Sequence, residues 1–127
     1  MMLFSEVVEL LLEVSLLMGV PPLMDVPAVY EVSPNQISKV CKATVKGCYI
    51  RPVVYIRSDL EAGGEKNGTL VHELVHHHQE MLGKFNSFTP CERYYLREQE
   101  AYNIQNEWLR TRVSNATFSI YPGGYCP

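Results

Sequence analysis

"TLVHELVHHHQ" (residues 69–79) contains all four histidines of the 127-residue chain. Within it, His72 and His76 are four positions apart. On an α-helix two residues at this spacing lie one turn apart on the same face, so both imidazoles can reach a single metal ion. Glu73 would then lie beside that ion, placed to hold and deprotonate a metal-bound water. The stretch therefore predicts an active-site helix in which His72 and His76 bind zinc.

The remaining histidines of this stretch lie elsewhere on the helix surface. His77 and His78 project about 100° and about 200° round the axis from His76, so they cannot join the same site. We interpret them as surface or packing residues. Gln79 returns to the metal-facing side and is a candidate to support a ligand. In the competing interpretation the histidines are only solvated or packed, which makes a third metal ligand the decisive question.

Catalytic zinc usually has three protein ligands and a water, and no histidine follows His78. Glutamates of residues 91–110, CERYYLREQEAYNIQNEWLR, are the natural suppliers. On a helical wheel Glu98 lies among nearly all the apolar and aromatic residues of this segment. Its neighbours on the wheel are Cys91, Tyr94, Tyr95, Ala101, Tyr102, Gln105, Trp108 and Leu109.

A lone carboxylate on such a face is costly unless it is paired or binds a metal. Glu98 is therefore the predicted third ligand, and Glu100, on the polar face, is the alternative. The competing interpretation of Glu98 is a buried carboxylate bonded to a tyrosine or a glutamine.

Both helices have recognisable ends. The helix that carries the histidines is predicted to span about residues 68–82 and to end at Gly83, because glycine readily adopts the left-handed conformation that terminates helices. The second helix has Thr89 as N-cap and Pro90 at its first position, and it is predicted to run to about Arg112.

The other segments predict an α+β domain with a small sheet. Residues 1–20 have glutamates at helical spacing and no basic residue, which favours an amphipathic helix over a signal peptide. A short strand is predicted at residues 28–32, followed by a short helix that starts with Ser33 and Pro34. Residues 43–60 are rich in β-branched and aromatic side chains and predict a hairpin or two neighbouring strands.

Turn signals divide these segments. The predicted turn of the hairpin is at residues 46–47, and Pro52 marks an edge strand or a bulge. Residues 61–68, EAGGEKNG, predict a loop. The tail, residues 115–127, indicates one strand and a Gly-Gly turn.

Four cysteines allow three pairings, and the sequence does not choose among them. Cys41 with Cys48 could close a short hairpin, and Cys91 with Cys126 could tie the tail to the domain. Disulfides would indicate a secreted or periplasmic protein, whereas free thiols would indicate a cytoplasmic one.

The bulk composition limits the class of protein. A chain of 127 residues, 46% of them hydrophobic and 20% charged, predicts a single globular domain over residues 1–127, which we expect to be a monomer. The formal net charge of −3 offers no basic stripe for phosphates, so no nucleic-acid partner is expected. The sequence has no long uncharged apolar run, so no membrane span is expected.

The pattern HELVH at residues 72–76, followed by EQEAY at residues 98–102, resembles the gluzincin metallopeptidases. The short chain is similar to their minimal single-domain members, the minigluzincins, and the motifs also resemble uncharacterised secreted bacterial zincin-like domains. The resemblance covers about residues 50–110. It implies a zincin-like fold, zinc bound by the two histidines of the first pattern, and the glutamate of that pattern as general base.

For the third ligand the family offers two precedents. A ligand three positions before an alanine is Glu98, and a ligand directly before a small residue is Glu100; the apolar face favours Glu98. The acidic residue that in the family supports a histidine, one turn after the third ligand, has no match, since Tyr102 or Ile104 stands there. Residues 53–60 resemble the edge strand along which zincin substrates lie extended.

Together these residues predict a zinc-dependent metallopeptidase acting on a peptide or protein substrate. Zinc on His72, His76 and Glu98 would polarise the scissile carbonyl, and Glu73 would take a proton from the bound water and deliver it to the leaving amine. Candidate donors to the developing oxyanion are Tyr94, Tyr95 and Tyr102. The alternative is a zinc-binding module without turnover, or a latent form whose tail or first helix fills the cleft. A third possibility is a protein without metal.

Overall fold

The computed structural model describes residues 4–113 together with residues 118, 119, 121, 123, 124 and 126. Within this part of the chain the fold is α+β, with four helices and a three-stranded mixed sheet. The elements in chain order are α1 (Phe4–Met18), β1 (Ala28–Val32), α2 (Pro34–Cys41), β2 (Gly47–Ile50), β3 (Val53–Arg57), α3 (Gly64–Leu82) and α4 (Pro90–Arg112). The predicted fold class is confirmed at this level.

The sheet has the order β1-β3-β2, with β1 parallel and β2 antiparallel to β3. The prediction that residues 53–60 form an edge strand is therefore wrong, because β3 is the central strand and β2 is an edge. Pro52 lies in the turn between β2 and β3, where a missing N–H removes no sheet hydrogen bond. The predicted turn at residues 46–47 is also wrong, since Gly47 already belongs to β2.

Helix α3 lies at the centre of the fold and contacts α1, α4, β2 and β3. Neighbours on so many sides explain why its buried residues do not form a single stripe. The core around it consists of Val7, Leu10, Leu11, Val14, Val29, Val54, Ile56, Leu60, Leu70, Val71, Leu74, Val75, Ala101, Trp108 and Leu109. The first four of these residues come from α1, which confirms the predicted amphipathic helix.

Glycines set where α3 begins and ends. The helix starts at Gly64, one turn earlier than predicted, and follows Gly63, whose φ of 91° favours glycine. Within the helix, a Cβ on Gly68 would come within 3.3 Å of Leu109, so the small residue permits close packing against α4. The helix ends as predicted at Gly83, which is left-handed with φ 64°.

The predicted start of α4 is confirmed. The Thr89 hydroxyl accepts a hydrogen bond from the backbone N–H of Glu92 at 3.3 Å, and Pro90 is the first helical residue. The short helix α2 begins in the same way, with Ser33 as N-cap and Pro34 following. Local capping chemistry therefore fixes both helix starts.

Two disulfides are present, Cys41–Cys48 and Cys91–Cys126. The first joins the end of α2 to β2 and does not close a hairpin, and the second joins the first turn of α4 to the tail. Both fit an oxidising compartment. The strand predicted in residues 115–127 falls largely outside the described residues.

In the described ranges no helix is both long enough and apolar enough to cross a bilayer.

Candidate metal centre

His72, His76 and Glu98 lie together between α3 and α4. The Nε2 atom of His76 is 2.5 Å from one carboxylate oxygen of Glu98, and the Nε2 atom of His72 is 3.4 Å from the other. One ligand atom from each residue can be chosen so that all three lie within 4.8 Å of one another. Donors of a tetrahedral site with bonds of about 2.1 Å are about 3.4 Å apart, so small adjustments would let the three residues hold a metal ion. The predicted grouping is confirmed.

The carboxyl group of Glu98 is held ionised by its surroundings. Burial by itself would raise its pKa, but hydrogen bonds to His72 and His76, together with their charges, outweigh burial and lower the pKa to about 2. Glu98, on the aromatic face of α4, thus has two histidines as the polar partners that a carboxylate in apolar surroundings needs. In this ionised form it can act as a metal ligand.

Glu100, the alternative ligand, does not belong to this group. Its carboxylate accepts a hydrogen bond from Gln79 Nε2 at 3.0 Å and forms an ion pair with Lys84. Its side chain is only 19% exposed, although the helical wheel places Glu100 on the polar face. The end of α3 and the loop that follows it cover this side of α4.

Each ligand histidine has a glutamine on its other ring nitrogen. His72 Nδ1 is 2.9 Å from Gln105 Oε1, and His76 Nδ1 is 2.8 Å from Gln79 Oε1. The supporting position predicted for Gln79 is confirmed. The helical wheel gives Gln105 only as a neighbour of Glu98. Its position seven residues, or two helical turns, after Glu98 is the signal that could have identified it as a support of His72.

The position where the family has an acidic support is occupied differently in this chain. The ring of Tyr102 packs edge-on against His72 with the centroids 4.5 Å apart. Gln105 supplies the hydrogen bond instead. The histidines are therefore oriented by neutral amides and an aromatic ring.

Glu73 lies next to the ligand group and is only 6% exposed. Burial raises the pKa of its carboxyl group and the charge of Glu98 adds to this, while His72 and His76 oppose it. A carboxylate whose pKa is raised binds a proton more readily than one in water. Glu73 is therefore suited to accept and return a proton within the cleft.

The four side chains face an open cleft of about 900 Å³. One wall is β2 with the two residues before it, and the other is the facing side of α4. Gly47 allows β2 to run close to α3, because a Cβ there would be 3.0 Å from Thr69 and 3.5 Å from Glu73. Further residues that line the cleft are Lys46, Cys48, Tyr49, Glu65, Tyr94, Tyr102, Gln105, Leu109 and Ser119.

The candidate tyrosines divide between two places. Tyr94 lines the cleft, Tyr95 lines a neighbouring pocket with Tyr121 and Gly124, and Tyr102 lines both. Burial, followed by the charge of Glu98, raises the pKa of both cleft tyrosines. Their hydroxyl groups therefore stay protonated and can donate hydrogen bonds.

His77 and His78 are fully buried packing residues. His77 Nε2 lies 2.8 Å from the backbone carbonyl of Asp25, which can only accept, so Nδ1 accepts from the Tyr49 hydroxyl at 2.9 Å. His78 Nε2 lies 3.5 Å from the carbonyl of Leu11, and burial lowers the pKa of this ring. Both histidines tie α3 to its neighbours on sides remote from Glu98.

Comparison of the chain with protein-family models, curated proteins and solved structures finds no match. The case for a function therefore depends on the residues of the cleft. The α+β architecture and the grouping of His72, His76 and Glu98, which could bind a metal ion, are structural findings. The gluzincin resemblance remains a prediction.

Proposed function

We propose that the protein is a zinc-dependent metallopeptidase. The observation that supports this most directly is the position of Glu73, a buried carboxylate beside His72, His76 and Glu98 in one cleft. A metal ligand set and a proton acceptor in an accessible groove are the parts that metal-assisted hydrolysis requires.

Zinc is the metal that we expect at this centre. Two imidazoles and one carboxylate are a ligand set of catalytic zinc, which keeps a further position for water. When bound, zinc polarises a carbonyl group and lowers the pKa of a bound water. His72, His76 and Glu98 would hold it, and no thiolate is available because the four cysteines form disulfides.

Glu73 would act first as general base and then as general acid. It would take a proton from the attacking water and return it to the amine that leaves. Its raised pKa supports the second step, because the protonated carboxyl group is more easily formed than in solvent. Tyr94 and Tyr102 are the candidates to donate to the oxyanion.

An extended peptide would bind along β2. This strand is hydrogen-bonded to β3 on one edge, and within residues 4–113 no strand pairs with its other edge. Residues 46–49 line the cleft, so a peptide that adds to β2 by backbone hydrogen bonds would pass the ligand group. We therefore propose β2, and not residues 53–60, as the strand along which a substrate would bind.

A latent form is the second candidate. Ser119 of the tail lines the cleft and is held by two hydrogen bonds to Asn106, of 2.6 and 3.0 Å. Tyr121 stacks on Tyr102 with centroids 5.4 Å apart. A tail in this place would limit access for substrate while the metal stays bound. Helix α1 contributes no residue to the cleft lining, so the tail is the segment to consider.

The test is a Glu73→Gln variant beside a Glu65→Gln variant, which removes a carboxylate from the same helix and the same cleft. Zinc content and cleavage of an unfolded, fluorescently labelled protein are measured for both. We expect all proteins to bind one zinc, and only Glu73→Gln to lose cleavage. If zinc-loaded wild type cleaves nothing, before or after proteolytic removal of the tail, the peptidase proposal is wrong and a zinc-binding module remains.

A further inference from the structure

Gln79 makes three polar contacts and is completely buried. Its Oε1 atom faces His76 Nδ1 at 2.8 Å, and its Nε2 atom lies 2.9 Å from the backbone carbonyl of Arg97 and 3.0 Å from a carboxylate oxygen of Glu100. The second oxygen of Glu100 is paired with Lys84. These contacts form a continuous chain of polar groups from a ligand histidine to a lysine in the loop after α3.

The chemistry of the partners allows one orientation of this amide. A backbone carbonyl and a carboxylate can only accept hydrogen bonds, so the NH₂ group of Gln79 must face Arg97 and Glu100. Its carbonyl oxygen must then face His76, and it can only accept. When Nε2 binds a metal, the proton of the imidazole is therefore on Nδ1, where Gln79 accepts it.

We propose that Glu100 is a positioning residue for the metal centre, acting through Gln79 on the tautomer and ring orientation of His76. The inference rests on the proposed function in that it takes zinc as the metal held by His76. Glu100 is two residues after the ligand Glu98, so α4 supplies both a ligand and the support of a ligand on α3. Lys84 pairs with the second oxygen of Glu100 and so holds the carboxylate in place against Gln79.

The proposal predicts a non-additive effect on zinc affinity. Loss of a group that orients a ligand histidine typically weakens metal binding about 10- to 100-fold, and this is the expected effect of Gln79→Met. Glu100→Met should weaken binding less, because the carbonyl of Arg97 still holds the amide. If Glu100 acts through Gln79, the double variant should bind zinc no more weakly than Gln79→Met alone.

Zinc affinity is measured by competition with a chromophoric chelator, and the melting temperature of each metal-free variant shows whether it is folded. If the two single effects multiply in the double variant, Glu100 acts by its own charge and the proposal is wrong. If the methionine variants do not fold, the exchanged pair Gln79→Glu with Glu100→Gln decides. It keeps an acceptor for His76 and a donor between residues 79 and 100, and it loses the hydrogen bond to the Arg97 carbonyl. Zinc affinity within 10-fold of the wild type is therefore expected, and a larger loss overturns the proposal.

A second measurement does not depend on cleavage. Nitrogen-15 NMR of the zinc-loaded wild type should show the proton of the His76 ring on Nδ1, where Gln79 accepts it. A proton on Nε2 overturns the inference whether or not the protein is a peptidase. If the wild type binds zinc but cleaves nothing, the proposed function fails, and the ring proton together with the affinities of the variants decides the inference. If the wild type binds no zinc, both fail.

Discussion

Removal of the Cys91–Cys126 disulfide is expected to destabilise the protein more than removal of Cys41–Cys48. The sequence separations of the two bonds are 35 and 7. Because the entropy lost by the unfolded chain grows with the logarithm of loop length, the expected contributions are about 3.8 kcal/mol and about 2.4 kcal/mol at 25 °C. With an unfolding entropy of about 0.27 kcal/mol/K for a chain of this size, the melting temperature should fall by about 14 °C and about 9 °C.

Contacts of the tail should persist after the longer loop is opened. Asn106 exchanges two hydrogen bonds with Ser119, and Tyr121 remains free to stack on Tyr102. These contacts do not depend on the disulfide, so the folded state should keep its arrangement at α4. The loss of stability should then come mainly from the greater freedom of the unfolded chain.

The assay is equilibrium denaturation in urea, without reductant, of two variants in which one disulfide at a time is replaced by a pair of alanines. Mass spectrometry checks that the other disulfide is intact. Fully reduced wild type is the control, and it should be less stable than either variant. If the variant without Cys41–Cys48 loses as much stability as the other, or more, then loop length does not explain the effect and the reasoning is refuted.

Three further results are expected, each from thermal unfolding. Zinc at about 100 times its dissociation constant should raise the melting temperature by about 10 °C, a shift that a chelator reverses and Glu98→Gln abolishes. Metal-free protein should lose stability from pH 6.5 to 8, because the pKa of His76 is raised in the folded state. Burial lowers this pKa, but the hydrogen bond to Glu98 outweighs burial. The stabilisation that a raised pKa provides is lost as the pH rises through the folded value. Metal-free Glu73→Gln should be more stable than wild type at pH 7.5 but not near pH 4, since burial raises the pKa of Glu73 and penalises only its charged form.

Each of these results has a clear contrary outcome. A zinc shift that survives Glu98→Gln would place the metal elsewhere. Metal-free stability that rises between pH 6.5 and 8 would contradict the pairing of His76 with Glu98. A Glu73→Gln variant that is less stable than wild type at pH 7.5 would make Glu73 a structural residue.

The grouping of the three candidate metal ligands could be predicted because each lies on a regular helix. Spacing alone placed His72 and His76 on one face of α3, and the apolar surroundings singled out Glu98 on α4. The capping residues Thr89 and Pro90 fixed where the second helix starts. These signals are local, and local geometry was sufficient to bring the three side chains to the same side of their helices.

The sheet could not be predicted in the same way. β1 pairs with β3 across the intervening α2 and β2, and no feature within residues 53–57 indicates a partner 25 residues earlier in the chain. Pro52 was expected to mark an edge strand or a bulge, but it lies in the turn between β2 and β3, and β3 is the central strand. Register and strand order depend on contacts between distant segments.

The helical wheel also misjudged Glu100. A wheel describes which residues of one helix share a face, and it does not show what packs against that face. α4 meets the body of α3 on one side, while Gln79 and Lys84 cover the side that carries Glu100. A charged residue on an apparently polar face thus became part of the support of His76.

Glu73 separates a catalytic centre from a zinc site that only stabilises the fold. A structural zinc is usually enclosed by four protein ligands, whereas here the described residues offer three in an open cleft. A buried carboxylate with a raised pKa lowers the stability of the metal-free protein at neutral pH, and Glu73 is not one of the three candidate ligands. A gain of stability together with a loss of cleavage in Glu73→Gln would therefore mean that the carboxylate is kept for its chemistry. A zinc-binding module without turnover has no reason to keep it.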